Sequence, residues 1–459
     1  MTSINKQIKN SVNNLPMPFQ WEVIRFILDQ QMRCFCFLDM GLGKSFCSLA
    51  ALAVNPTLRP ALIVCPASLK INWQKEAKMH IDENAIVLSS KKPEPLTYPG
   101  IYVINYDVVS AWKKEILKAD FKVMIADECQ YLKNQKAIRT KACKHLSMHI
   151  PHIIGLTGTP ITNRPVDLFS PLDIVKPGLF PSWFAYVTRY CNMKRRPWGM
   201  DVSGASHLDE LHEKISPYFI RRKKEDVLTD LPPRQTIVMP MDITNRKEYK
   251  KAEGDFLKWL KKVKPEKLKA AEKAEALVKI NTLRMLLVEG KMKGLEEWVD
   301  NYLESEKKLI LFMVHTEPLH KIYNTHKKHA VIVDGSVSAK KRNIAVEKFQ
   351  NDDKVKLFCG NIKAAGVGLT LTAADTLVFG ELGDLATDHA QAADRNYRIG
   401  QKQNVQCYYM IAHDTYEEQI CERLHRQMKV IDQILDGEIT DSQQWDFNKE
   451  LMAAMKQKK

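Results

Sequence analysis

Short apolar runs recur along this chain in two blocks, each run followed by helical material and most of them ending in a polar loop. The first block holds the runs 34–38, 61–65, 101–104, 121–126 and 153–156, and the second holds 309–314, 330–333, 355–359, 376–379 and 405–411. A run of four to seven residues that is apolar throughout suits a strand covered on both faces. Alternation with helices then implies a mostly parallel sheet with its ligand site at the carboxyl ends of the strands. The pattern occurs twice in 459 residues, and one hydrophobic core organises about 250, so at least two domains are expected.

The loop after the first run has its own chemistry. Asp39-Met40-Gly41-Leu42-Gly43-Lys44-Ser45 follows the apolar stretch directly. Glycines here let backbone N–H groups close around phosphate oxygens, Lys44 can reach the outer phosphates, and the Ser45 hydroxyl can hold Mg²⁺. Position 38, five before Gly43, is leucine and not the outer glycine of the full pattern. Upstream, Trp21, Ile24, Ile27 and Leu28 fall at helical spacing, and Gln20 opens that helix with an amide able to read an adenine edge.

The run 121–126 ends in Asp127-Glu128-Cys129-Gln130. With a phosphate loop upstream, Asp127 suits the metal, and Glu128 suits a base that orients and deprotonates the attacking water. The run 153–156 ends in Thr157-Gly158-Thr159-Pro160, whose hydroxyls can contact a phosphate backbone or link it to the nucleotide. The second block lacks a phosphate loop. Its segment 391–401 carries Arg395 and Arg398, three apart and therefore on one face if helical, a pair suited to the charge that develops in phosphoryl transfer.

Lys and Arg outnumber Asp and Glu by 69 to 54, which favours a polyanionic partner. Residues 246–293 alone carry fifteen basic against seven acidic residues, either a solvated helical face or a protrusion that tracks a phosphate backbone. The ten cysteines form no ligand array. Cys34 and Cys36 are read as facing opposite sides of their strand, and the chain as reduced, soluble and intracellular without structural metal. The polar N-terminus and the lack of a long apolar run predict neither secretion nor a membrane span. Thr415–Glu418 reads as a capping box opening a helix that stops at Gly437.

Together these motifs resemble the superfamily 2 helicase-like ATPases, and within them the Swi/Snf-type translocases of double-stranded DNA. The segments 39–45, 127–130, 157–160, 221–223, 231–233 and 391–401 fall in that family's order, and its loop commonly lacks the outer glycine. The segment from Tyr190 to Gly204, with Ala373-Ala374-Asp375 and Glu381, is more similar to the annealing-helicase branch, and the chain is expected to be the bare motor core of that branch. Two positions depart from the family: Cys129 stands where alanine is usual, and Gln130 where histidine is.

The resemblance implies an α/β chain with two RecA-like parallel-sheet lobes in tandem and a mostly helical insertion between them. Residues 1–170 form the first lobe, 171–295 the basic linker and protrusion, 296–437 the second lobe with a bracing helix, and 438–459 a tail. It implies a monomeric, DNA-dependent ATPase using ATP and Mg²⁺ that moves along duplex DNA, with forked DNA as a further substrate. ATP would bridge the lobes. Nucleotide contacts fall on Gln20, Met40, Gly41, Leu42, Gly43, Lys44, Ser45, Gly366 and Gln391, and DNA contacts on Ser68, Lys70, Thr159, Thr316 and Thr370. A strand-separating DNA or RNA helicase and a non-catalytic nucleic-acid scaffold are the alternatives.

Overall fold

A computed structural model describes residues 3–197, 199–228, 230–254, 268–365 and 369–437. The chain divides into two compact units. One holds the residues up to Asp230 together with the end of the last helix from Lys429, and the other holds Leu231–Met428.

The first unit is built on the strands β1 (Arg33–Leu38), β2 (Ala61–Cys65), β3 (Ala85–Leu88), β4 (Ile101–Asn105), β5 (Val123–Asp127), β6 (His152–Leu156) and, after a separate ribbon of β7 (Lys194–Arg196) and β8 (Gly199–Asp201), β9 (Phe219–Arg222). Its seven strands lie in the order β3-β4-β2-β5-β6-β1-β9, and every pairing is parallel. The inner strands β2, β4 and β5 are buried at every position, as their continuous apolar runs require.

Strand β1 corrects one expectation. Side chains alternate along a strand, so residues two apart share a face. Cys34, Cys36 and Leu38 accordingly enter one core with Ile63, Val103, Ile125 and Ile154. Phe35 and Phe37 contact each other, with ring centroids 5.2 Å apart.

The second unit carries β10 (Arg234–Met241), β11 (Leu309–Met313), β12 (Ala330–Val333), β13 (Leu357–Asn361), β14 (Thr376–Phe379) and β15 (Val405–Ala412), in the order β10-β15-β14-β11-β13-β12 and again all parallel. Two apolar clusters pack against this sheet, one around Ile310, Phe312, Phe358 and Phe379 and the other around Leu309, Leu311, Cys359 and Val378. Each fully buried aliphatic or aromatic side chain contributes about 1.5–3 kcal/mol. The fold class is therefore the expected one, two parallel α/β units in tandem.

Four segments form strands that the apolar pattern does not mark: β3, β9, β10 and the ribbon. The span 171–295 thus contributes an edge strand to each sheet besides its helices. The helix Leu268–Leu303 lies where helical composition predicts one, while 255–267 and the tail 438–459 lie outside the described residues. The last helix, Tyr416–Asp436, ends at Gly437 with φ +75°. Its capping differs in detail from the expected box, because the Glu418 side chain accepts from Asp414 N at 2.6 Å.

Candidate functional site

Parallel pairing in register brings three loops of the first unit to one edge. Leu156 pairs with both Cys36 of β1 and Asp127 of β5, so the segments beginning at Asp39, Asp127 and Thr157 leave the sheet side by side. The phosphate loop turns on Gly41 and Gly43, at φ +87° and +78°, before the helix Lys44–Ala53. A side chain at Gly43 would be strained, and its Cβ would sit 2.5 Å from Gln20 Nε2. The opening turn of that helix offers backbone N–H groups with no helical partner, a natural seat for an anion. Lys44 Nζ donates to Leu38 O at 2.8 Å and to Asp39 O at 3.2 Å, and it lies 3.5 Å from where a Gly158 Cβ would stand. Ser45 is half-buried on the same turn, Met40 and Leu42 are buried, and Gly41 is exposed.

Gln20 holds this loop. Its Nε2 donates to Leu42 O at 3.2 Å and its Oε1 accepts from Met17 N at 2.9 Å. The first residue of the loop is fixed from the other side: Asp39 N donates to Arg222 O at 3.1 Å, and Asp39 Oδ2 accepts from Lys224 N at 2.9 Å. Strand β9 therefore braces the phosphate loop. Arg221 and Lys223 on that segment also pair with Asp436, at 2.9 Å each.

Asp127 and Glu128 are both buried. Asp127 Oδ2 accepts from Trp73 Nε1 at 2.8 Å, its Oδ1 accepts from Glu128 N at 3.0 Å, and its carbonyl accepts from Tyr106 OH at 2.8 Å. Burial first, and then repulsion from Glu128, push the Asp127 carboxyl up to about 7, against the pull of Trp73 and Lys44. Glu128 sits at φ +50°, and its Oε2 accepts from Gln130 Nε2 at 2.7 Å. The amide oxygen of Gln130 is buried without a partner among the described residues. Of these contacts, those of Trp73, Tyr106 and Lys224 were not read from the sequence, since their partners lie 54, 21 and 185 residues away.

The donor set fits nucleotide and metal. Two adjacent carboxylates whose repulsion already raises one of them are short of positive charge, beside a lysine and a helix start that are short of an anion. Around them, Ser68 is exposed, Thr159 is half-buried, and Lys70 Nζ is engaged with Leu88 O at 3.3 Å and Ser89 Oγ at 2.9 Å.

In the second unit the helix expected to present both arginines ends at Ala393, and Arg395 and Arg398 lie in the turns that follow. They do not share one exposed face. Arg395 is 1% exposed, with Nε donating to Gln391 O at 2.9 Å and a terminal nitrogen donating to Leu369 O at 3.3 Å. Arg398 is half-buried, donates to Asp394 O at 2.8 Å and to Thr370 Oγ1 at 3.2 Å, and has its pKa lowered by burial. Thr316 is exposed at the start of the helix Thr316–Thr325, and Gly366 lies outside the described residues.

The model of the SNF2-related domain matches residues 19–351. The chain belongs to that family. It is 31% identical over 455 residues to the human DNA annealing helicase and endonuclease ZRANB3, covering 94% of this chain and 42% of that protein. It is 32% identical over 435 residues to the Xenopus laevis SWI/SNF-related matrix-associated actin-dependent regulator of chromatin subfamily A-like protein 1, covering 92% of this chain and 44% of that one. This SNF2-family chain thus spans less than half the length of these curated relatives. Among solved structures it is similar to the Sulfolobus solfataricus SWI2/SNF2 ATPase core in complex with dsDNA, with 25% identity, a TM-score of 0.45 and coverage of 93% of this chain and 94% of that one. As a family member it is an ATP-hydrolysing enzyme. No described helix is long and apolar enough to cross a membrane.

Proposed function

We propose that this SNF2-family chain is a DNA-dependent ATPase that couples ATP hydrolysis to translocation on double-stranded DNA, with forked or branched DNA as a substrate to remodel. The observation that carries the reading is the convergence of the phosphate loop and the Asp127-Glu128 pair at one sheet edge, in a chain of net charge +15.

The Gly41–Ser45 turn takes the phosphates on its backbone N–H groups, and Lys44 exchanges the carbonyls of Leu38 and Asp39 for outer phosphate oxygens. Ser45 and Asp127 would hold Mg²⁺, which when bound would supply neutralisation of the phosphate charge. Trp73 fixes the orientation of the Asp127 carboxylate. Gln130 holds one oxygen of Glu128, leaving the other to take a proton from the attacking water. Arg398, the more exposed of the two arginines, meets the charge that develops on the transferred phosphoryl group, and Arg395 supports its turn. Gln20 keeps one N–H and one lone pair for an adenine edge. Gln391 and Gly366 complete the nucleotide contacts, and Ser68, Lys70, Thr159, Thr316 and Thr370 make the DNA contacts.

ATP turnover measured against single-stranded, duplex, forked and RNA polynucleotides tests this. Turnover is expected to be low alone and strongly raised by duplex or forked DNA, with near-complete loss in Lys44→Ala and Glu128→Gln. Better stimulation by single-stranded RNA would point instead to a strand-separating helicase.

A further inference from the structure

Strands β7 and β8 pair only with each other, and no described residue of the ribbon packs into a core. Lys194, Arg195, Arg196, Gly199 and Met200 are all exposed, Met200 at 51%. A two-stranded ribbon is marginal in water without a covered face, and ordering each residue costs about 1–2 kcal/mol of backbone entropy. The Arg196–Asp201 pair, at 3.6 Å on the surface, offsets little of that. Something other than packing gain accounts for this element.

Its base, by contrast, is firmly built. Ser206 N donates to Tyr190 O at 3.0 Å, Ser206 Oγ donates to Arg189 O at 2.7 Å, and Asn192 N donates to Ser206 Oγ at 3.1 Å. A Cβ on Gly204 would meet Cys191 O at 2.9 Å, so the two ends of the excursion touch backbone to backbone. Glu210, on the helix that follows, accepts from Tyr190 OH at 2.8 Å and pairs with Arg189. Asp201 Oδ1 accepts from Ser203 N and Oγ, closing the second strand. The result is a short arm on a fixed root.

Charge sets what the arm fits. In the antiparallel register Arg195 stands opposite Met200, Lys194 opposite Asp201 and Arg196 opposite Gly199. Arg195 with Met200 therefore occupies one face, and Lys194 and Arg196 occupy the other. Cations thus leave the ribbon on both faces, and the side chains of Lys194 and Arg195 have no partner among the described residues. Three residues span about 10 Å, and a groove about 12 Å wide with phosphates along both walls admits a two-stranded ribbon. An acidic patch on a protein would engage one face only.

We propose that the β7–β8 ribbon is a nucleic-acid contact in its own right, entering a groove of duplex DNA with Lys194 and Arg195 on the flanking phosphates. It rests on the reading of DNA as the partner. It assigns a contact to residues outside the phosphate loop and the strand-end loops.

The test is binding of the full chain to a fluorescein-labelled duplex by anisotropy across a series of NaCl concentrations. Lys194→Glu with Arg195→Glu is expected to weaken binding at low salt about tenfold, and to make the slope of log K against log salt shallower by about two. Lys194→Gln with Arg195→Gln, which removes the charges without adding repulsion, is expected to give the same change of slope. Lys114→Glu, elsewhere on the unit, reports the effect of net charge alone and should change affinity by less than about twofold. Unchanged affinity and slope in both ribbon variants, with the parent chain binding normally, overturns the inference and leaves the DNA reading standing. Failure of the parent chain to bind any duplex overturns both.

Discussion

At the scale of single residues, the carboxylate pair is where folding and chemistry conflict. Asp127 is ionised only at a cost, because burial and Glu128 raise it to about 7. Unfolding returns it to about 4. Between those values the folded chain keeps a proton that the unfolded chain has released, so stability falls as pH rises through this window and the loss is complete above 7. Asp127→Asn removes that dependence. Urea unfolding of both chains at pH 5 and pH 8 should show the wild type losing on the order of 2 kcal/mol relative to the variant between the two pH values. A pH-independent difference would mean that the carboxyl titrates normally in the folded protein. Asparagine keeps one acceptor for Trp73 or Glu128 N but not both, so a constant offset accompanies the pH-dependent part.

Elements decide which arginine can act. Because the helix Ala386–Ala393 stops before Arg395, the guanidinium of Arg395 folds back on Gln391 O and reaches Leu369 O, while Arg398 emerges three residues later beside Thr370. Arg395→Ala strands buried carbonyls, and is expected to destabilise the second unit by about 2–3 kcal/mol with a lower melting temperature. Arg398→Ala is expected to keep the melting temperature and ATP affinity while lowering kcat by about 10³-fold. If Arg395→Ala melts like the wild type and loses only turnover, the assignments exchange. Strand β9 makes a similar point, since a four-residue edge element and the turn just after it hold the first residue of the phosphate loop through Arg222 O and Lys224 N.

For the whole molecule, two sheets with separate apolar clusters predict two unfolding transitions. On the proposed reading ATP with Mg²⁺ is held by the loop of the first unit, so it should raise that unit's transition by mass action. Calorimetry on Lys44→Ala, with and without nucleotide, identifies the transition, because the variant should lose the shift and keep both peaks. A single peak that moves as one would show that the units melt together.

How much could be read in advance follows from burial. Inner strands are covered on both faces, so their sequences are almost wholly apolar and the runs 61–65 and 376–379 coincide with β2 and β14. The strands that the pattern missed, β3, β9 and β10, are edges covered only in part. Phe219-Ile220-Arg221-Arg222 and the stretch ending in Met239-Pro240-Met241 mix polar or proline positions that an edge tolerates. The phosphate loop and the Asp127-Glu128 pair were legible for a related reason: each is a contiguous piece of chemistry attached to one strand.

What the amino-acid sequence determined by itself was therefore local: the α/β alternation, the glycine turn, the paired carboxylates and the excess of positive charge. Only the tertiary structure decided that Trp73 grips Asp127, that β9 braces the loop, that Arg395 is fully buried while Arg398 is half-exposed, and that a basic ribbon pairs with neither sheet. Those outcomes depend on register and on the approach of residues far apart in the chain, and no local pattern carries that information.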